Sequence, residues 1–170
     1  MTEQEKIDDF IDWSEKLAMN KNQEEAFKLI SSKIDVCDDC YLNDHIPALN
    51  FIRCEEVLNW IERNASRVEN ISENWGHLAA SSHFNWEKAE EWLSKGRPLS
   101  LIALDALILC TTIGERLNQS LWMRKIKPKL NDNPRPDVVA KRLQEYLVID
   151  KVPRTRKAVE KVIANIFLVD

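Results

Sequence analysis

The side chains with the types and spacing for chemistry fall into three groups. The first is Cys37-Asp-Asp-Cys40, with His45 and Cys54 close by in sequence. Three thiolates and an imidazole are a tetrahedral zinc donor set, because this borderline-soft cation prefers sulfur and nitrogen. A single C-x2-C without a second paired set is only half of such a site, however. Cys54 also stands among Phe51, Ile52, Val57 and Leu58, where a free cysteine serves as a small core residue. Charge opposes a redox role, since Asp38 and Asp39 disfavour a thiolate and no βαβ pattern surrounds the pair. The expectation is free thiols, with Cys37, Cys40, His45 and Cys54 as the residues to inspect for metal.

The second group is acid and imidazole. Glu73 and His77 lie four apart and share a helix face, with His83 and Glu87 following. Such a pair can exchange protons with a substrate, but it is also the ordinary i,i+4 pair of a solvated helix. With no second ligand-bearing helix evident, the solvated face is the expected reading. Asp105 interrupts the apolar run from Pro98 to Cys110. A buried carboxylate is costly unless paired, so Asp105 calls for a donor from Arg97, Arg116 or a helix N-terminus. The sequence contains no P-loop, G-x-G-x-x-G, H-E-x-x-H or G-x-S-x-G. No catalytic residue or cofactor is therefore assigned, and the chain is expected not to be an enzyme.

The third group is charge and aromatic surface. The net charge is −4, unevenly spread. Residues 121–170 hold twelve Lys/Arg against six Asp/Glu, a surplus of +6, and the first 120 hold twelve against 22, or −10. Clustered on one face, Arg124, Lys125, Lys127, Arg154, Arg156 and Lys157 could hold phosphates through counterion release. The acidic majority instead favours a basic protein partner, with charge speeding and selecting the encounter. Of six tryptophans, Trp60, Trp75 and Trp92 fall on apolar stripes, whereas Trp13, Trp86 and Trp122 stand beside them. Trp86, next to Phe84, and Trp122, next to Met123, are the tryptophans expected either to be exposed interface anchors or to seal a helix junction.

The elements that must position these residues read as helices throughout. Ile7, Phe10, Ile11, Ser14 and Leu17 line a first helix, and Asn22 with Glu25 caps a second through Ile34. Pro47 opens a third, running to Ile61, and Val68 to Ala79 forms a fourth. Asn85 starts a fifth that stops at Gly96, and Pro98 opens a sixth. Either Thr112 and Glu115 cap a seventh, or the sixth runs on to Ile126. Asp137 caps the next helix and Pro153 starts the last. With only three glycines, hairpin-rich β architecture is disfavoured. The chain is expected to be one all-α domain over 1–170: an N-terminal helical cap (1–46), central helix pairs (47–126), a proline-rich linker (127–137) and a C-terminal pair (138–170).

A shift of 32 residues sets Val57, Trp60 and Ile61 on Ala89, Trp92 and Leu93, and Ile71, Trp75 and Leu78 on Ala103, Leu107 and Cys110. A shift of 54 sets the same fifth-helix trio on Leu143, Tyr146 and Leu147. Recurring helix pairs are the signature of an α-solenoid. In this respect residues 55–110 and 138–167 resemble HEAT/armadillo repeats, the Gly96-Arg97-Pro98 turn before the Ala/Leu-rich Leu99–Cys110 segment most of all. The first 46 residues fit no unit, and the resemblance carries no site residues across. It implies stacked antiparallel hairpins, as a short solenoid or an irregular bundle.

The N-terminus is acidic without an apolar signal core, and no apolar run is long enough to span a bilayer. Four cysteines in that setting point to a reducing compartment, so the expected location is cytoplasmic, off the membrane. The expected function is a non-enzymatic protein–protein interaction module, an adaptor or an inhibitor/immunity-type protein that binds a basic partner. The alternative is a nucleic-acid-binding helical repeat using the basic C-terminal segment. Self-association through unmatched terminal repeats is a further expectation.

Overall fold

The structure, a computed structural model, describes residues 1–112 and 128–167. Among these there are nine α-helices and no strand, as the all-α reading expects. Helix α1 (Glu3–Asn20) and α2 (Gln23–Asp35) form the N-terminal pair, and α3 (Leu42–His45) is one turn. Then follow α4 (Glu56–Asn64), α5 (Glu73–Ala80), α6 (Trp86–Lys95) and α7 (Leu99–Thr111). Helices α8 (Pro136–Ile149) and α9 (Pro153–Ile166) form the C-terminal pair.

Helix ends follow local chemistry. Thr2 and Glu5 exchange hydrogen bonds as a reciprocal capping box at α1, ahead of the apolar pattern that marks this helix. Asn22 accepts the Glu25 amide at 2.8 Å and Asn85 accepts the Lys88 amide at 2.8 Å, as expected. Gly96 closes α6 at φ 76°, in the left-handed region that glycine enters without penalty. Thr112 turns extended at ψ 135°, so α7 ends at Thr111 and does not run on. The alternative start pairs Thr112 with Glu115, and Glu115 and the helix that would follow lie outside the described residues.

Three boundaries differ from the pattern. The helix expected from Pro47 to Ile61 is divided into a 3-10 turn, Ile46–Phe51, and α4, with Ile52 extended between them. Ala48, Leu49, Asn50 and Ile52 are all buried. One amphipathic face cannot bury consecutive residues, but a tight turn wedged against α1, α2, α3 and α5 can. Val68 and Ile71 likewise lie before α5 rather than in it. Asp137 sits inside the first turn of α8 instead of capping it, paired to Arg135 at 2.7 Å.

Helix α7 is the centre. It buries Leu99 to Leu104, Ala106, Leu107 and Leu109, so it is apolar nearly all round and must be covered on every side. Helices α5, α6 and α9 cover it. The closest approach is at Gly76 of α5, where an added Cβ would stand 2.4 Å from the Asp105 Cβ of α7. The aligned aromatics behave alike. Trp60 donates its indole N–H to Asp35 at 2.9 Å, Trp92 donates to Glu62 at 2.8 Å, and Tyr146 donates to Ser100 at 2.6 Å. Each reaches back to an earlier element.

Glu62 also accepts Lys88 at 3.1 Å. Burial alone would raise the Glu62 pKa, but the Trp92 N–H and the Lys88 ammonium outweigh it and hold the carboxyl below its ordinary 4.5. A carboxylate depressed by folding contributes stability above its unfolded value and loses it as pH falls through the folded one. Wild-type stability should therefore drop as pH falls below 4.5, and Glu62→Gln should flatten that part of the profile, as read by urea unfolding across the acid range. Gly76→Ala should lower stability by about 1–3 kcal/mol despite alanine's better helix propensity, because backbone on α7 must shift. A lowered urea midpoint with unchanged helical circular dichroism checks it.

Candidate interaction surface

The exposed surface most unlike the rest is the outer side of α1 and α2. Residues 1–46 carry twelve Asp/Glu against five Lys, a net −7, which is more than the whole chain's −4. On α1, Glu3, Glu5, Asp8, Asp9, Asp12 and Glu15 are all exposed, because that helix buries little beyond Ile7 and Ser14. Trp13 stands among them, 37% exposed. Its ring is held rather than loose: Phe10 stacks on it at 5.8 Å, and the Lys33 ammonium of α2 lies 5.2 Å from its centroid. Leu29 and Val36 flank Lys33, each about one turn away, and are 45% and 84% exposed. A hollow of about 260 Å³ beside Trp13 is lined by Lys16, Leu17, Asn20 and Lys21. The arrangement is a fixed, half-exposed aromatic with Lys16, Lys21 and Lys33 beside it, on a helix pair whose exposed charge is otherwise mostly acidic. That combination suits contact with a basic protein surface.

The cysteine group is assembled differently from a metal site. Among the described residues no three His, Cys, Asp or Glu side chains gather closely enough to hold an ion. Arg67 organises the Cys37–Cys40 turn, bonding Asp39 at 2.7 Å and the Cys37 and Ile34 carbonyls at 2.8 and 3.3 Å. His45 donates from Nδ1 to the Tyr41 carbonyl at 2.7 Å and packs its ring against Phe10. Burial pushes the Cys37 thiol up against the pull of Arg67, and the Asp38 carboxylate raises Cys40. Cys54 is pushed up to about 11, chiefly by burial. None of the three is activated as a nucleophile.

Glu73, His77, Asp105 and Lys161 come together on α5, α7 and α9 around a cavity of about 200 Å³. The sequence shows Glu73 and His77 as neighbours but not that Asp105 joins them. Asp105's partner is Arg154, at 3.0 Å, rather than Arg97, and Arg116 lies outside the described residues. Burial raises the Asp105 pKa, with Arg154 opposing and Glu73 adding to the rise. The same Arg154 guanidinium donates to the Ile71 carbonyl, so it ties α9 to α7 and to the loop before α5. Arg97 instead meets buried Asp150 at 3.1 Å, beside the Tyr146 hydroxyl.

One of the two expected anchors changes place. Trp86 is buried at 6% exposure and joins the core with Phe84. Asp132 in the proline-rich segment accepts the Trp86 and Glu87 amides at 2.9 and 3.1 Å, so the segment docks on the start of α6. No local signal marks a cap supplied from 46 residues away. Trp122, Arg124, Lys125 and Lys127 lie outside the described residues. Of the remaining basic candidates, Arg154 is engaged in the clamp, whereas Arg156 and Lys157 are exposed on α9. Trp13, which the apolar pattern leaves off the core stripe, is the exposed tryptophan among the described residues.

No family model matches the chain, and neither a curated protein nor a solved structure matches it.

The clamp and the exposed cations are separable by mutation. Arg154→Ala should cost about 1–2 kcal/mol, because it leaves Asp105 charged and partly buried without its donor. Arg156→Ala and Lys157→Ala should each stay within about 0.5 kcal/mol of wild type. Thermal and urea unfolding of the three variants check the contrast.

Proposed function

We propose that the chain is a non-catalytic protein-binding module whose acidic α1–α2 face receives a basic partner. The observation that carries this reading is Trp13, exposed yet fixed by Phe10 and Lys33 and bordered by Asp9 and Asp12. A rigid aromatic loses little conformational freedom on binding, so more of its contact energy reaches affinity. The surrounding carboxylates add attraction that acts before contact, raising the encounter rate at low salt. An adaptor or an inhibitor that occludes a basic enzyme would use such a face in the same way.

We further propose that the helix pairs stack as a short HEAT-like solenoid. The support is register: Trp60, Trp92 and Tyr146 occupy the same aligned position, and each donates to an earlier element. In such a stack a terminal pair has an uncovered side available for binding. The cysteines, read as free thiols, support a reducing, cytoplasmic setting.

Tagged wild-type protein should recover a near-stoichiometric basic protein from a lysate of its native cells, with nuclease present. Trp13→Ala, and separately Asp8→Lys with Asp9→Lys and Asp12→Lys, should lose that partner while keeping the wild-type unfolding midpoint. Retention of the partner by both variants, or recovery of nucleic acid alone without nuclease, overturns the reading.

A further inference from the structure

The C-terminal pair presents the electrostatic complement of the N-terminal one. Residues 136–167 carry seven Lys/Arg against four Asp/Glu, a net +3, where residues 1–46 carry −7. Lys141, Lys151, Arg156, Lys157 and Lys161 are exposed on α8, α9 and the turn between them. The same pair also exposes apolar surface. Val138 and Ile149, eleven residues and three turns apart on one side of α8, are 45% and 79% exposed, Val148 is 70% exposed, and Phe167 after α9 is 56% exposed.

These two surfaces belong to opposite ends of the packing order. Helices α1 and α2 pack on the Ile46–Phe51 turn, that turn on α5, α5 on α7, α7 on α9, and α9 on α8. The chain is therefore acidic with exposed Trp13, Leu29 and Val36 at one end, and basic with exposed valines and isoleucine at the other. A terminal helix pair that exposes apolar side chains among its charges offers a face that another surface can cover.

We infer that the acidic face is covered by the basic α8–α9 end of a second copy of this chain, docked head to tail. This rests on the reading of α1–α2 as the docking face. A head-to-tail contact is heterologous: each copy uses two different patches, and the arrangement grows unless its rotation closes a ring. Like ends repel, so a symmetric head-to-head dimer is disfavoured. Attraction between exposed charges is screened over about 10 Å at 0.1 M salt, so assembly is favoured at low ionic strength.

Sedimentation velocity on the full chain tests it with two charge-reversed variants. The head variant carries Asp8→Lys, Asp9→Lys and Asp12→Lys, and the tail variant carries Arg156→Glu, Lys157→Glu and Lys161→Glu. Wild type should show mass rising with concentration above the 19.8 kDa monomer at low salt, returning to monomer at high salt. Each variant alone should weaken association by about tenfold or more, since it keeps only one working end. Mixed, the tail variant's intact acidic head meets the head variant's intact basic tail, and the two reversed ends are complementary as well, so mass above the monomer should return at low salt. A wild type that stays monomeric at every salt, a variant that assembles as wild type does, or a mixture that stays monomeric overturns the inference. Were wild type monomeric while the head variant still lost a basic partner in the lysate experiment, the acidic docking face would stand and only self-recognition would fall. Loss of both would remove the two readings together.

Discussion

The rest of the structure depends on the contact between α5 and α7. Helix α7 is apolar on nearly every side, so its stability depends on being enclosed, and α5 comes closest where Gly76 removes the side chain that would block it. Directly across stands Asp105, the one charged residue of α7. A carboxylate at a close helix contact needs a donor. Arg154 supplies it from α9 and spends its other terminal nitrogen on the Ile71 carbonyl. One tight approach thus specifies three elements: which residue of α5 faces α7, where α9 crosses, and how the loop entering α5 is held.

The same solution recurs along the chain with different residues. A large aromatic fills the space between helices, and its polar edge is satisfied on an earlier element. Trp60 uses Asp35, Trp75 uses Asn43, Trp92 uses Glu62, and Tyr146 uses Ser100. The ring supplies buried apolar area, and the single N–H or O–H fixes which turn of the neighbour it meets. Packing alone tolerates sliding by a methyl group or two, whereas a buried donor left without its acceptor costs about 1–3 kcal/mol. These four polar contacts at the edges of the core therefore help to set the register of one element on the next.

What the sequence makes legible follows from which of these contacts are local. Helical spacing, the Asn22 and Asn85 caps, the Gly96 stop and the starts at Pro98 and Pro153 depend on residues a few positions apart, and they read correctly. The Trp60, Trp75 and Trp92 stripes read as core for the same reason, since period alone assigns their face. Apart from Asp137, which misses the cap position by two residues, the failures are nonlocal or tertiary. Consecutive burial at Ala48–Asn50 breaks a helix that period alone would continue. Trp86 looks peripheral until Asp132 caps its helix from the distant proline-rich segment. Asp105 visibly needs a cation, but choosing Arg154 over Arg97 requires knowing that α9 crosses α7. The off-stripe position of Trp13 is legible in the pattern; the exposed acidic face around it is not, because it follows from how little α1 buries.

This sorting of charges bears on function. Many of the charged residues between the two terminal pairs are held by specific partners: Arg67 by the Cys37–Cys40 turn, Lys88 by Glu62 and Glu91, Arg97 by Asp150, and Asp105 by Arg154. Those charges are consumed in joining one element to the next, and their fields largely cancel at a distance. The surplus is left at the ends, −7 over residues 1–46 and +3 over residues 136–167. A chain that needed charge only for solubility could distribute it anywhere on its exposed helices. Separation of sign along the packing order instead makes each end attractive to the other and repulsive to itself. Exposed apolar side chains stand at both ends, Trp13, Leu29 and Val36 at one and Val138, Val148, Ile149 and Phe167 at the other, and in the proposed docking they would turn an encounter guided by charge into a contact held by burial.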